Sequence, residues 1–174
     1  SPIRWWTEVQ AQGMIKRLDR LSPETGPHKA YIAFRYTAPF SDDALRAMKA
    51  DGVTRAVAFT QYPHYSCATT GSSLNELWRA ARRTGTADAF EWSVIDRWPT
   101  HAGFIAAMTQ TVREGLAQFA PEDRDDVLLL FSAHSLPMRI VNRGDPYPQE
   151  IGASVHEVMR ALGEPLPYML AYQS

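Results

Sequence analysis

The chain has 174 residues, 45% of them hydrophobic, and a net charge of −1, with an isoelectric point near 6.5. That length accommodates a compact domain with its own core, and the near-neutral charge excludes the basic footprint of a nucleic-acid binder. No apolar stretch approaches the roughly 20 residues that cross a bilayer, no signal or transit peptide is visible, and one cysteine, Cys67, excludes an internal disulfide and cannot form a metal site alone. The chain opens on Ser1-Pro2-Ile3 with no initiator methionine, as expected of a piece of a longer polypeptide, so its ends carry no information on targeting.

Helical and extended patterns alternate along the sequence. Residues 4–21 read as a helix on the spacing of Met14, Leu18 and Leu21. Ser22 to Pro27 is a loop, and Ala30 to Tyr36 is a short apolar strand that ends in Arg35 and Tyr36. Asp42 to Ala50 is a helix with an acidic start, which the helix dipole favours. Thr54 to Thr60 is a second strand. Leu74, Leu77, Trp78 and Ala81 mark a third helix face, preceded by Thr69-Thr70-Gly71-Ser72-Ser73, whose hydroxyls suit capping. That stretch lacks the lysine of a phosphate loop, and no Gly-x-Gly-x-x-Gly occurs. Phe90 to Ile95 is a strand. Ile105, Met108, Val112, Leu116 and Phe119 form a helical stripe that begins just after His101. Val127 to Phe131 is a fourth strand, followed by a small polar turn with His134. Ile151, Val155, Val158 and Leu162 stripe another helix, and Tyr168 to Ala171 begins a last strand. Alternation of this kind predicts an α/β fold, a parallel sheet with helices on both faces.

His134 is the leading candidate for chemistry. Ligands of an open parallel sheet bind outside the carboxyl ends of its strands, and a neutral imidazole there can act as base or metal ligand near pH 7; the bland alternative is a turn histidine bonded to backbone. His101 reads either as an exposed first-turn histidine or as a residue on a metal path. Arg35 at a strand end suits pairing with a carboxylate group of a ligand or tuning a metal ligand, against the commoner surface ion pair. Cys67 alone reads as a small buried hydrophobe. Tyr62, Tyr65 and Trp98 are aromatic enough to stack on a flat ligand, though core or rim packing is the commoner role. Asp145 and Glu150 read as solvated turn and helix-start residues.

The blocks Ser132-Ala133-His134-Ser135-Leu136-Pro137 and Gly144-Asp145-Pro146-Tyr147 resemble the ferrochelatase signature. Gln61 to Cys67 with Thr69 to Ser73, and Trp92 to Thr100, resemble two further blocks of the eukaryotic branch of that family. Four blocks in order, over essentially the whole chain, identify it by resemblance with enzymes that insert ferrous iron into protoporphyrin IX to make haem. The resemblance implies two Rossmann-like domains with a porphyrin cleft between them, of which residues 1–174 hold the later part of the first and the beginning of the second. It implies that His134 is the base that takes the pyrrole protons. It places the Arg35-Tyr36 pair in the pocket beneath the macrocycle, matches Ser1 to a porphyrin-contacting serine, and gives His101 an active-site or metal-path role. Where relatives often carry two adjacent histidines, this chain has Ala102 after His101. Many animal and some fungal members bind a [2Fe–2S] cluster through one cysteine in the block of Cys67 and three near the carboxyl terminus; a cluster takes four thiolates, so these residues alone cannot hold one. The acidic residue that faces the histidine in the family has no match here, so the chain alone is expected to be inactive. The resemblance further implies a mitochondrial protein on the matrix side of the inner membrane, and a homodimer. The rival readings are a chelatase for another tetrapyrrole or metal, which predicts a second metal-ligand histidine, and a non-catalytic flavodoxin-like binding module, which needs a phosphate-binding loop after an early strand.

Overall fold

The computed structural model describes residues 2–174. It is an α/β structure in which helices flank parallel strands. In chain order the elements are α1 (Pro2–Leu21), α2 (Ser41–Ala50), β1 (Arg55–Phe59), α3 (Ser72–Arg83), β2 (Glu91–Ile95), α4 (Ala102–Leu116), β3 (Leu129–His134), α5 (Met138–Val141), α6 (Tyr147–Leu162) and β4 (Tyr168–Gln173). The strands form two two-stranded sheets, β1–β2 and β3–β4. Two compact units result: one comprises the chain through Val57 together with Ser73–Ser93, the other Ala58–Ser72 with Val94–Ser174.

In the first unit, the core gathers Leu45 and Met48 of α2, Ala56 of β1, Ala80 and Ala81 of α3, and Phe90. α2 starts where expected: the Asp43 carboxylate accepts from the Phe40 amide at 2.9 Å, satisfying one of the free N–H groups of the helix start. α1 contributes no buried residue, and Trp5 and Trp6 on it are exposed. It stops at Leu21, before Ser22-Pro23, because proline disfavours helical geometry in the residue ahead of it.

The second unit has its own core of Leu116, Leu162 and Leu166, with Val112, Val127, Leu129 and Met159 against it. α4 and α6 pack together, and Arg113 of α4 donates to the Ala161 carbonyl near the end of α6 at 3.0 Å. α6 ends on Gly163 in the left-handed conformation, φ +75°, with its amide bonded to Met159 O. β3 and β4 run parallel in a register that pairs Leu129 with Tyr168 and His134 with Gln173.

Three expectations are corrected. Residues 30–36 are not a strand; only Phe34 bridges to Phe40, and Arg35 and Tyr36 lie in a bend between them. An apolar run becomes a strand only where another strand pairs with its backbone, and none does so here among the described residues. β3 continues past Phe131 through His134, because β4 extends to Gln173 and pairs with each added residue. His134 is therefore the last residue of a strand rather than part of the turn after it. Capping ahead of α3 falls to Ser66, whose hydroxyl accepts from the Ala68 amide at 3.1 Å and opens a π-helical turn, Cys67–Gly71, that leads into the helix. π-turns are rare and recur near functional sites.

Candidate active site

The second unit carries Cys67, His101 and His134. His134 projects from the end of β3 and is exposed. The next amide, Ser135 N, donates to Gln173 O at 2.7 Å, so the ladder holds the backbone up to and beyond the imidazole. The Tyr147 phenol, at the start of α6, meets the His134 backbone amide. Burial is the main cause that raises the phenol pKa, Tyr172 adds to it, and the hydrogen bond from that amide opposes both.

His101 is the cap of α4. Its Nδ1 accepts from the Gly103 amide at 3.2 Å, which fills one of the free donors of the helix start. Nε2 is the ring nitrogen that this bond leaves unengaged. Cys67 is exposed. Its thiol pKa is pushed up, first by the hydrogen bond to the Asp145 carboxylate and then by burial and by the Asp145 charge. A thiolate is what metals bind, so this neighbour works against metal ligation. Among the described residues, no three His, Cys, Asp or Glu side chains come close enough together to hold a metal ion. With a single cysteine, a cluster at Cys67 needs its other three thiolates from outside these residues.

Asp145 and Glu150 depart most from expectation. Asp145 is buried, and its carboxylate accepts from Cys67 N at 2.8 Å, Ser66 Oγ at 3.1 Å and Tyr147 N at 3.1 Å. Burial pushes its pKa up, but the hydrogen bonds from Cys67, Tyr147 and Ser66 together hold it below the ordinary carboxylate value. Glu150 accepts from Tyr65 N and from Arg97 Nη1, both at 2.7 Å, and Arg97 stacks on the Tyr65 ring at 4.4 Å. Two carboxylates of the Gly144–Glu150 segment therefore clamp the Tyr65–Cys67 loop. His64 joins them: its Nε2 lies 2.8 Å from Ser154 Oγ, and its ring stands edge-on to Tyr147 and Phe104, each 6.0 Å away. Desolvation lowers the His64 pKa, with Glu150 opposing. Trp98 donates to Thr60 O at 2.9 Å and packs on Phe104, the packing role expected of it. No local motif reports the long-range members of this set, in which Asp145 meets Ser66 and Cys67, Glu150 meets Tyr65, and His64 meets Ser154.

The first unit carries Arg35 and Tyr36. The Arg35 guanidinium lies over the Tyr36 ring, 4.9 Å from its centre, and 3.7 Å from Glu76 of α3. Tyr36 is 81% exposed. Ser1 lies outside the described residues. No helix among the described residues is long and apolar enough to cross a membrane.

The whole chain, residues 1–174, matches the family model described as Ferrochelatase. It is 54% identical over 174 residues to a protein of Gallus gallus named "Ferrochelatase, mitochondrial". It is 53% identical to the one so named from Homo sapiens and 52% identical to that of Drosophila melanogaster. In each case all of this chain is covered, against 43%, 41% and 45% of the relative. The chain thus spans less than half the length of the curated relatives it matches.

Proposed function

The chain belongs to the ferrochelatase family, and on that premise we propose that the full-length protein inserts ferrous iron into protoporphyrin IX to form haem. What carries the reading is the match along the entire chain, with His134 inside the signature block and at the carboxyl end of a parallel strand.

The reaction sets physical demands. Two pyrrole N–H protons leave as the metal ion forms its bonds to the four ring nitrogens, so a group near the pyrroles must accept protons and pass them on. A neutral imidazole suits this, since its ordinary pKa lies near the working pH. His134 is the proposed base. Its exposure gives each accepted proton a path to solvent, and the β3–β4 ladder fixes the backbone from which it acts. Arg35 and Tyr36 are proposed to shape the pocket beneath the macrocycle, and Ser1 to contact the porphyrin. His101 is the proposed second site residue, acting through Nε2 because Nδ1 is engaged by the Gly103 amide. The carboxylate that faces His134 belongs to the part of the protein outside these residues, so the 174-residue chain alone is expected to be inactive. The same reading makes residues 1–174 the later part of one Rossmann-like domain and the beginning of another.

The names of the relatives support a mitochondrial location. Association with the matrix side of the inner membrane, and a homodimer, are carried over from the family resemblance. So is a [2Fe–2S] cluster, to which this chain contributes one exposed thiol, Cys67, with three thiolates to come from outside it. Replacing Cys67 with Ser in the full-length protein is expected to remove the visible absorption of the cluster. An absorption spectrum unchanged by the substitution gives Cys67 a packing role only.

The function is tested by mixing purified full-length protein anaerobically with protoporphyrin IX and ferrous iron. Porphyrin fluorescence is expected to fall as haem absorption rises. Porphyrin that binds and stays metal-free contradicts the reading.

A further inference from the structure

Arg35 holds its charge on a poorly supported segment. Residues 35–39 form a bend, closed by the single bridge between Phe34 and Phe40. The guanidinium ends a long flexible side chain, so its direction depends on what it meets. One partner is Tyr36, itself largely exposed. A charged partner is Glu76 on α3, whose Oε2 lies 3.7 Å from Arg35 Nη1.

Glu76 is a firmer anchor than its partner. Its side chain is 19% exposed, and its other oxygen, Oε1, accepts from Arg83 Nη2 at 2.8 Å. Arg83 is held in turn by Asp42 of α2, which accepts from its Nε at 3.1 Å and from its Nη2 at 2.6 Å. This two-point grip has the geometry of a strong, directional arginine–carboxylate pair. Asp42 first, and Glu76 second, hold the Arg83 guanidinium firmly protonated. All four residues lie within the first unit, and their charges alternate: Asp42, Arg83, Glu76, Arg35. Glu76 and Arg83 stand seven residues apart on α3, two turns along one face. Two helices thus fix Glu76, and Glu76 reaches the bend that carries Arg35.

We propose that Glu76 is a positioning residue for Arg35, setting the direction in which the guanidinium meets the porphyrin and acting on the reaction only through it. This rests on the reading that Arg35 lines the porphyrin pocket. An alternative role for the same contacts is to tie α2 to α3 through Arg83, with Arg35 a bystander.

The test is a double-mutant cycle in the full-length protein, reading kcat/KM for protoporphyrin metallation. Glu76→Gln keeps the shape and the acceptor for Arg83 but removes the charge that faces Arg35. It is expected to lower kcat/KM on the order of fivefold, within the range that coupled neighbours show, with the melting temperature little changed. In an Arg35→Ala background the same substitution is expected to cost nothing further. Equal losses in both backgrounds mean that Glu76 acts without Arg35, and overturn the proposal. Impaired Arg35→Ala beside unaffected Glu76→Gln overturns it while leaving Arg35 in the pocket. Arg35→Ala at wild-type kcat/KM overturns the pocket reading and this proposal together.

Discussion

His134→Ala in the full-length protein is expected to lower the rate of metallation by about two to four orders of magnitude, the usual range for loss of a positioned general base, with porphyrin binding intact. The side chain is exposed at the end of β3, so its removal opens no cavity, and the stability change is expected to stay within about 0.5 kcal/mol. The backbone there is held by pairing with β4 and by the Ser135 to Gln173 bond, neither of which involves the imidazole. A drop in rate with unchanged porphyrin affinity and melting temperature separates lost chemistry from lost structure. A variant that keeps its turnover removes His134 from the mechanism.

Asp145→Ala is expected to be the most destabilising single change near the site, at about 3 kcal/mol. It orphans the amides of Cys67 and Tyr147 and the Ser66 hydroxyl, all now bonded to one buried carboxylate. Chemical denaturation checks the magnitude. Hydrogen exchange checks the place: the Cys67 and Tyr147 amides should lose protection before the rest of the unit. Protection that survives the substitution contradicts the assignment. The pH dependence has a fixed sign. Because the folded carboxylate has a pKa below the ordinary 3.8, its stabilisation is complete above that value and is lost as pH falls through the folded one. Asp145→Ala should therefore be less sensitive to acid below pH 3.8 than the parent.

These two residues show what the sequence made legible. His134 lies at the end of an apolar run inside a dense signature, whereas the extension of the strand through it depends on pairing with β4, which no local pattern reports. The helix start after His101 was likewise readable, although its capping bond to Gly103 was not. Asp145 looked like a turn residue between glycine and proline. Its burial comes from partners 78 and 79 residues upstream, which no local pattern reports. Glu76 carried no signal at all: a glutamate on a helix face is ordinary until Arg35, from a different part of the chain, is folded against it. Residues 30–36 failed in the opposite sense. Their apolar run suited a strand, but strand formation depends on a partner, and the described residues provide just the bridge at Phe34. Periodic patterning thus conveyed the order of elements, while the polar contacts that organise the site arose from long-range folding.

The most direct test of the central claim is single-turnover iron insertion into the preformed complex of full-length protein and protoporphyrin IX, with His134→Ala alongside. The wild type is expected to convert its bound porphyrin to haem as the pyrrole protons are released, while the variant leaves its bound porphyrin metal-free. Equal insertion rates in the two proteins, or a wild type that binds porphyrin and never metallates it, would contradict the account.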